Sequence, residues 1–413
     1  MSQATLTITG LAAGGDGVAR HDGLVVFTPR TAPGDTVVAD VRVEGRVGRG
    51  TLRRLEVAGP DRVAPACAHY EAPDRCGGCQ WQHVAIEAQR EAKRRMVQDA
   101  FARIGRRAVP LPPIHGGAAW RYRRTLTLAI RRASGACRAG LRAYDDPEAV
   151  FALGDCLITD ERVLAAWREI LAAEAHLPTG ARLRGTVRWL DAHPLLVLEG
   201  GEAWPALAAF AAAVPSLAAI WWQGEGRRRR LVLDRRPAGT PGASFAQVNA
   251  EMAERLRAHV VAQVRRHAPA RVVDAYSGAG DTAAALAEAG IVVTAVELDE
   301  EATAFAATRL ASPSRAIAAK VEDVLPSLLP ADVVLLNPPR AGVDARVTAA
   351  LARPAGAPTS GVRAVVYVSC DPATLARDVG RLAGWRVTAV ECFDLFPQTA
   401  HVETVCVLEP EAA

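Results

Sequence analysis

A glycine-rich loop in the last two-fifths of the chain, within a regular alternation of strand and helix patterns, most constrains the fold. The loop, DAYSGAGD at residues 274–281, follows a short apolar strand and opens a helix. Further strand-like apolar segments lie at 291–296, 331–336 and 364–369, with helical stretches between them. Alternation of this kind predicts a mostly parallel sheet covered by helices. Residues 385–394 and 401–408 end the chain differently, as two strands of a predicted hairpin.

The chain is too long for one ordinary domain, because its 413 residues exceed the usual size of a single core. We predict an α/β multidomain protein with boundaries at 1–58, 59–240 and 241–413. Residues 1–58 carry short strands separated by glycine turns at 14–17 and 33–35, which is typical of a small OB-like barrel and of a nucleic-acid platform. For residues 59–240 we predict a central α+β domain that contains a cysteine-rich loop, and residues 241–413 contain the strand–helix repeat.

Composition narrows the class of protein further. No apolar run approaches the ~18 residues of a membrane span, and the N-terminus lacks the basic start and apolar stretch of a secretory signal. We therefore expect a soluble cytoplasmic protein without a membrane partner. The net charge of +4 says little, but residues 103–142 hold ten arginines and no acidic residue.

This basic stretch has two interpretations: a phosphate-binding surface, or a solvated face with no partner. Within it, aromatic and basic groups alternate, as they do in proteins that bind single-stranded or looped RNA. The alternating residues are Trp120, Arg121, Tyr122, Arg123 and Arg124. Packing of the two aromatic rings in a core is the other explanation.

The glycine loop indicates a nucleotide-type cofactor. Gly278 and Gly280 allow a tight turn and a close approach of the backbone to a ligand, and the following helix offers free N–H groups. Glu297 ends the second apolar strand, where a carboxylate can bind ribose hydroxyls. A dinucleotide would fit the same features. The segment NPPR at 337–340, after a later strand, resembles the fourth motif of class I methyltransferases, which implies S-adenosylmethionine, although it could be a simple turn.

Cys370 is the candidate nucleophile. It lies between an apolar strand and a helix that begins at Pro372, and the positive end of that helix is expected to lower the thiol pKa. Ordinary burial in a core is the alternative for a lone cysteine. A nucleophilic thiolate needs an acid–base partner, and Glu403 on the terminal hairpin is the candidate, with His401 as the alternative.

Five segments together resemble the RNA uracil-C5 methyltransferase family, in the family's order. They are SFAQVN (244–249), DAYSGAG (274–280), NPPRAG (337–342), YVSCDPATLARD (367–378) and DLFPQTAHVETV (394–405). The resemblance implies that Cys370 adds to carbon 6 of uracil, so that carbon 5 can take a methyl group from S-adenosylmethionine. It also implies that Glu403 then removes the carbon 5 proton. The cofactor site implied by the resemblance and the glycine loop comprises Gln247, Tyr276, Gly278, Gly280, Glu297 and Asn337, with Asp323 against the adenine.

The N-terminal segment resembles the TRAM domain of the same family, an RNA-binding barrel. Cys67, Cys76, Cys79 and the distant Cys156 match the family's iron–sulfur pattern, which implies a structural [4Fe-4S] cluster, whereas four cysteines also suit zinc. The first spacing, C-x8-C, is longer than usual in the family. Asn337 is a second departure, since much of the family carries Asp there.

The combination of barrel and cluster resembles the branch of the family that acts on 23S ribosomal RNA. Transfer RNA is the alternative substrate, and a non-catalytic RNA-binding protein with a degenerate methyltransferase domain is the alternative of another class. Arg340 after the prolines, where adenine-N6 enzymes have an aromatic residue, and the presence of Cys370 argue against adenine-N6 methylation. Cytosine-C5 RNA enzymes usually place a cysteine beside the proline motif, which has none here. We expect RNA as the partner of a monomer, with no obligate protein partner.

Overall fold

The computed structural model describes residues 2–133, 136–190, 193–236, 247–353 and 361–411. Within these ranges the chain forms three successive sheets. Residues 244–246 of the SFAQVN segment, and the predicted domain start at 241, lie outside the described residues. None of the described helices is both long enough and apolar enough to cross a membrane.

The first sheet is a half-barrel of six short strands. Alternate side chains point inward, and Leu6, Ile8, Val26, Val37 and Ala39 form its small core. The strand order is β1-β5-β6-β4-β3-β2, with mainly antiparallel pairing. The strands are β1 (Ser2–Thr7), β2 (Gly10–Leu11), β3 (Gly17–His21), β4 (Leu24–Thr28), β5 (Thr36–Glu44) and β6 (Val47–Val57). The predicted barrel is therefore present in an open form.

A cysteine-rich loop leads from the half-barrel to helix α1 (Ile86–Arg103) and the short strand β7 (Ile114–His115). Both elements pack on the C-terminal sheet: α1 contacts a helix of that sheet, and β7 adds a parallel strand to its edge. Sequence reasoning placed 86–115 in the central domain, because local patterns carry no information about which sheet an element joins.

The second sheet has the order β13-β12-β11-β10-β8-β9 and is backed by α2 and α3. Asp160 caps α2, its side chain accepting the N–H of Arg162. Around α2, Leu128, Ile130, Trp167, Ile170 and other apolar side chains form the core. The elements are β8 (Thr125–Ala133), β9 (Ala136–Gly140), α2 (Glu161–Ala172), β10 (Arg182–Leu190), β11 (His193–Glu199), α3 (Leu207–Ala213), β12 (Ala219–Gln223) and β13 (Arg230–Asp234).

The third sheet is the predicted alternation of strand and helix. Its elements are α4 (Ala250–Arg265), β14 (Arg271–Ala275), α5 (Asp281–Glu288), β15 (Val292–Glu297), α6 (Glu300–Arg309), β16 (Arg315–Ala318), α7 (Val321–Leu328), β17 (Val333–Leu336), α8 (Ala345–Leu351), β18 (Ala364–Ser369), α9 (Pro372–Arg381), β19 (Trp385–Phe393) and β20 (Glu403–Pro410).

The strands of this sheet follow the order β16-β15-β14-β17-β18-β20-β19-β7. Pairing is parallel from β16 to β18, and β20 runs antiparallel to β18 and β19. The carboxyl ends of the parallel strands share one edge, where ligands bind in open sheets of this kind. The sheet therefore collects the ends of β14, β15, β17 and β18 at one cleft.

Candidate active site

The glycine loop after β14 turns back sharply enough to leave a cradle. Tyr276, Gly278 and Gly280 have positive φ values of 62°, 55° and 76°, a conformation that costs glycine little and other residues more. A Cβ on Gly280 would lie 2.7 Å from Cβ of Ala306, whereas a Cβ on Gly278 would meet no atom within 4 Å. Gly280 is thus required by packing against α6, and Gly278 borders open space.

Glu297 lies beside this loop at the end of β15, as the sequence predicts. Its Oε2 accepts the N–H of Gly278 at 3.0 Å, and its Oε1 accepts the N–H groups of Leu298 and Asp299 at 2.7 and 2.9 Å. These bonds hold the carboxylate in one orientation at the rim of the cradle. Such an oriented carboxylate is suited to binding hydroxyl groups of a ribose.

Two buried polar atoms of the same loop have no hydrogen-bond partner among the described residues: Oδ2 of Asp274 and Oγ of Ser277. Burial raises the pKa of Asp274 to about 7, and the nearby charge of Glu297 adds to the effect. Buried polar groups almost always find partners. These two orphaned atoms fit a site that a polar ligand completes. Sequence reasoning did not single out Asp274, because a first-strand aspartate is also compatible with simple capping.

The predicted adenine contact is placed differently from expectation. Asp323 was expected at a strand end but lies in the first turn of α7, where it is about half-exposed and bonds Arg346 at 2.8 Å. Its neighbour Glu322 is the less exposed of the two, and its charge contributes to raising the pKa of Tyr276, after burial. Glu322 is therefore the acid of the two whose charge acts on Tyr276, and no residue pattern distinguishes it from Asp323.

The NPPR segment follows β17, beside the glycine loop. The N–H of Asn337 donates to the carbonyl of Ala275 at 3.2 Å, which fixes the first residue of the segment against the end of β14. The Asn337 residue is exposed, and Pro338 is buried. The sequence thus correctly predicted that Asn337 and the glycine loop meet at one edge.

Asp378 on α9 holds the far side of the NPPR turn. Its fully buried carboxylate accepts the hydroxyl of Tyr367 at 2.8 Å and the N–H of Val343 at 3.0 Å, and it pairs with Arg377 and Arg381. A Cβ on Gly342 would lie 2.3 Å from this carboxylate, so the turn passes directly over it. Asp378 was part of a recognised motif but was not predicted to have this role.

Cys370 and Glu403, called the catalytic pair below, lie at adjacent strand ends. Ser369 of β18 is in register with Thr404 of β20, so the next residues outward are Cys370 and Glu403. Glu403 is buried, and burial raises its pKa to about 8, opposed by the charge of Arg340. A carboxyl with this pKa is poised to exchange a proton near neutral pH.

The expected lowering of the Cys370 pKa is wrong in direction. Burial and the negative charge of Glu403 raise the thiol pKa, and the charge of Arg340 opposes them. Asp371 caps α9 by accepting the N–H of Thr374 at 2.8 Å, so an acid already occupies the helix N-terminus that was expected to favour the thiolate. Arg340, which sequence reasoning used only to exclude another chemistry, is the cation that acts on both members of the pair.

His401 lies two residues before Glu403, and its pKa and its contacts do not indicate a catalytic base. Burial lowers its pKa, and Arg340 contributes. The ring packs edge-on against Phe396 at 5.9 Å between centroids. His401 is therefore a neutral imidazole in a packed setting, whereas Glu403 carries the shifted pKa.

The loop 394–402, which leads into Glu403, is held from behind by α1. Lys93 is fully buried, and its Nζ contacts Oδ1 of Asp394 at 2.5 Å and the carbonyl of Phe396 at 3.0 Å. Gln89 donates to Oε1 of Gln398 and accepts the Gln398 N–H. Nothing in the local sequence indicated these contacts, because they join residues about 300 positions apart.

The aromatic-basic segment 120–124 also contacts the loop 394–402. Tyr122 is buried, and its hydroxyl donates to the carbonyl of Pro397 at 2.9 Å. Arg121 pairs with Asp155 through two bonds of 2.8 Å. The interpretation of Tyr122 as an exposed ring for base stacking is wrong, since the ring is part of the core.

Gln247 lies just before α4, and its residue is half-buried. Two residues later, Asn249 caps α4 by accepting the N–H of Met252 at 3.2 Å, and its amide donates to the carbonyl of Leu395 at 3.2 Å. The segment that carries Gln247 is thereby fixed to the same loop that precedes Glu403.

The four predicted metal-binding cysteines line one cavity of about 120 Å³. Cys67, Cys76 and Cys79 come from the loop before α1, and Cys156 comes from the turn before α2. Burial raises the pKa of Cys76 to about 11 and that of Cys79 to about 12. Among the residues that the structure describes, no three of these sulfurs lie within 4.8 Å of one another. The four cysteines that the sequence grouped together do line one cavity, around which their sulfurs are spaced.

The third sheet, the glycine cradle and the acid at the tip of β15 define a methyltransferase domain of the S-adenosylmethionine-dependent class. Comparison with known proteins agrees. A family model described as tRNA (Uracil-5-)-methyltransferase matches residues 319–411, and a TRAM domain model matches residues 2–52.

Two curated relatives span almost the whole chain. An uncharacterized RNA methyltransferase of Gloeobacter violaceus is 33% identical over 98% of this chain and 96% of its own. The 23S rRNA (uracil(1939)-C(5))-methyltransferase RlmD of Chromohalobacter salexigens is 32% identical over 98% of this chain and 88% of its own. The chain belongs to the RNA uracil-C5 methyltransferase family and is an S-adenosylmethionine-dependent enzyme of that family.

A solved structure shares the three-part fold. The Pyrococcus abyssi tRNA (uracil-54, C5)-methyltransferase, determined with S-adenosyl-L-homocysteine, has a TM-score of 0.74 and 21% identity. The similarity covers 98% of this chain and 99% of that one. It confirms the predicted architecture of TRAM half-barrel, central domain and methyltransferase domain.

Proposed function

We propose that this enzyme methylates carbon 5 of a uridine in 23S ribosomal RNA, with Cys370 as nucleophile and Glu403 as base. The observation that carries the proposal is the register of β18 and β20, which brings the catalytic pair together at the edge where the glycine loop lies. The nearly full-length similarity to a 23S rRNA enzyme supports the choice of RNA.

The reaction follows from what a thiol and a carboxylate can do to uracil. Cys370 loses its proton to solvent, and the thiolate adds to carbon 6, so that the electrons of the carbon 5–carbon 6 double bond move into an enolate and make carbon 5 electron-rich. S-adenosylmethionine supplies the methyl group that carbon 5 takes. Glu403 then accepts the carbon 5 proton, the electrons of that bond re-form the carbon 5–carbon 6 double bond, and the thiolate leaves.

The raised pKa values of Cys370 and Glu403 contribute to these reaction steps. Glu403 with a pKa near 8 is a stronger base than an exposed carboxylate, so it can accept a carbon-bound proton. The thiol with a raised pKa gives a more nucleophilic thiolate once it ionises. The charge of Arg340 favours ionisation of both groups and offsets part of the effect of their burial.

The same edge offers the residues that would hold the cofactor. Glu297 would bind the ribose, and the backbone at Gly278 and Gly280 would lie along the amino-acid portion. Tyr276, Gln247 and Asn337 would complete the walls. Asp323, or its neighbour Glu322, would contact the adenine. Asn337 has an amide oxygen that can accept the N3–H of uracil and so can serve in place of an aspartate.

The cysteine cavity supports an iron–sulfur cluster over zinc. Tetrahedral zinc with Zn–S bonds of ~2.3 Å places its four sulfurs only about 3.8 Å apart. Cys67, Cys76, Cys79 and Cys156 line a cavity of about 120 Å³, which is larger than a single zinc ion needs. A cavity of this size suits a polynuclear [4Fe-4S] cluster. Cys79 directly precedes Gln80 and Trp81, and the N–H of Trp81 donates to Gln398, so the cluster would support the loop before Glu403.

Transfer RNA is the second candidate, because the matching family model is described as a tRNA enzyme. Purified enzyme and labelled S-adenosylmethionine should be incubated separately with unmodified 23S rRNA and with unmodified tRNA. We expect label in 23S rRNA, at carbon 5 of one uridine when the product is mapped. Label confined to tRNA would overturn the choice of substrate. Label on another base, or normal turnover by Cys370→Ala, would overturn the chemistry. We expect the active species to elute as a monomer.

A further inference from the structure

A cluster of two histidines and a glutamate lies on the third sheet, apart from the catalytic pair and from the cysteine cavity. His115 is in β7, His259 is in α4, and Glu391 is in β19. One ligand-type atom from each of the three lies within 4.8 Å of the other two. Neither the proposed reaction nor the proposed cofactor site uses these residues.

From this cluster we propose a binding site for a divalent transition metal of the zinc class, formed by His115, His259 and Glu391. Two imidazoles and a carboxylate are borderline ligands that suit Zn²⁺ and Co²⁺ better than Mg²⁺ or Ca²⁺. The three come from separate elements, so a bound metal would join the edge strand β7 to β19 and α4.

The distances fit tetrahedral coordination. Metal–ligand bonds of ~2.05 Å place neighbouring ligand atoms about 3.3 Å apart. Nε2 of His115 lies 2.7 Å from Oε2 of Glu391, and Nε2 of His259 lies 3.6 Å from Oε1 of the same carboxylate. The two separations involve the two different oxygens of Glu391, and each lies within about 1 Å of the ideal ligand–ligand distance. His115 is 44% exposed, which leaves a fourth position open to water.

The hydrogen bonds around His259 show which ring nitrogen can bind a metal. The amide nitrogen of Gln263 lies 3.2 Å from Nε2 of His259, and the amide oxygen accepts a bond from Arg266 at 3.4 Å. With the amide in this orientation, Nε2 accepts from Gln263 and carries an electron pair in place of a proton. A metal ion would take over this electron pair from the Gln263 amide and would also neutralise the facing oxygen of Glu391.

Charge and packing also favour a cation. In the part of the chain that the structure describes, the ion-pair contacts of Glu391 are with the two imidazoles and with no arginine or lysine. Phe393 fixes both rings, with centroids 4.6 Å from His115 and 5.3 Å from His259. Strand pairing of Phe393 with His115 fixes the backbone as well. Little reorganisation is therefore needed to bind a metal.

The test is a Co²⁺ titration of the full-length protein as purified under anaerobic conditions. We expect one equivalent of Co²⁺ with the visible bands of a tetrahedral nitrogen and oxygen site, and without thiolate-to-cobalt charge-transfer bands. The absence of those bands separates this site from the cysteine cavity. His115→Asn, His259→Asn and Glu391→Gln should each lose this equivalent. His267→Asn and Glu251→Gln, on or just after α4, are matched controls that should retain it.

X-ray absorption of the Co²⁺-loaded wild type provides a second reading that needs no variant to fold. We expect a first shell of nitrogen and oxygen with the outer-shell scattering of two imidazoles. No bound Co²⁺, sulfur in the first shell, or unchanged binding in all three ligand variants would each overturn the proposal. Methyl transfer is read separately, so loss of activity in a variant neither supports nor replaces the metal measurement.

Discussion

Replacing Glu403 by glutamine should make the protein more stable while it removes the catalytic base. Glu403 is buried, and its carboxyl has a pKa of about 8 in the folded state against an ordinary value of 4.5. Between these two values the folded protein holds a proton that the unfolded chain has released. The wild type therefore loses stability as pH rises through this window, and the neutral glutamine has no such loss.

The size of the effect follows from the two pKa values. Each pKa unit corresponds to about 1.4 kcal/mol, so the wild type should lose about 1.4 kcal/mol of stability at pH 5.5 and about 4–5 kcal/mol at pH 8.5. The advantage of Glu403→Gln over the wild type should thus grow by about 3 kcal/mol between these pH values. For a cooperatively unfolding unit of about 150–250 residues, the difference in melting temperature between Glu403→Gln and the wild type should therefore increase by roughly 6–12 °C.

Melting of both proteins at pH 5.5, 7.0 and 8.5 is the assay, followed by circular dichroism. Glu409→Gln is the control, because Glu409 lies on the same strand but forms a partly exposed ion pair with Arg386, and such pairs contribute little. The reasoning is refuted if the difference between Glu403→Gln and the wild type stays constant with pH, or shrinks as pH rises.

Three further predictions concern a buried lysine, a proposed cluster ligand and the charged residue that acts on the catalytic pair. Lys93→Met should cost on the order of 3 kcal/mol of stability and slow methyl transfer, since it leaves the buried carboxylate of Asp394 with Arg90 alone, 3.3 Å away. Lys320→Met at an exposed position should do neither, and equal melting temperatures of the Lys93→Met and wild-type proteins would contradict the assignment. Cys156→Ser should lower the iron content per chain to near zero, whereas Cys137→Ser should leave it unchanged, and retained iron would exclude the proposed ligand set. Arg340→Met removes a charge that lowers the pKa of both members of the pair, so the pH–rate profile should move to higher pH, and an unmoved profile would exclude this electrostatic role.

Local patterns were sufficient to predict the strand–helix repeat. The apolar and β-branched residues predict strands at 271–275 and 364–369 with the bounds that the structure shows, because each is a short run that ends at clear turn residues. The charged pattern after the cysteine-rich loop predicts a helix over 86–104, and α1 ends one residue earlier. The short strands β2, β3 and β7 were missed, since β2 and β7 have two residues each and β3 (GVARH) contains no apolar run.

Candidate site residues could be identified from the sequence where a chemically reactive or polar residue ends or begins a predicted strand. Cys370, Glu297 and Asn337 lie at the carboxyl ends of parallel strands, and Glu403 begins β20, which pairs antiparallel with β18 at the same edge. The roles of Lys93, Asp378 and Arg340 could not be predicted, because they depend on contacts between distant segments. The direction of the Cys370 pKa was missed for the same reason: burial and Glu403 become visible only when β18 and β20 are paired.

The most direct test of the central claim is the isolation of a covalent bond between Cys370 and RNA. Glu403→Gln should be incubated with S-adenosylmethionine and the RNA substrate, denatured, digested and examined by mass spectrometry. The account predicts a denaturation-stable adduct in which the Cys370 peptide carries a methylated uridine, and none with the Cys370→Ala/Glu403→Gln double variant. An adduct that persists in the double variant, or no adduct when Glu403→Gln still binds RNA and cofactor, would contradict it.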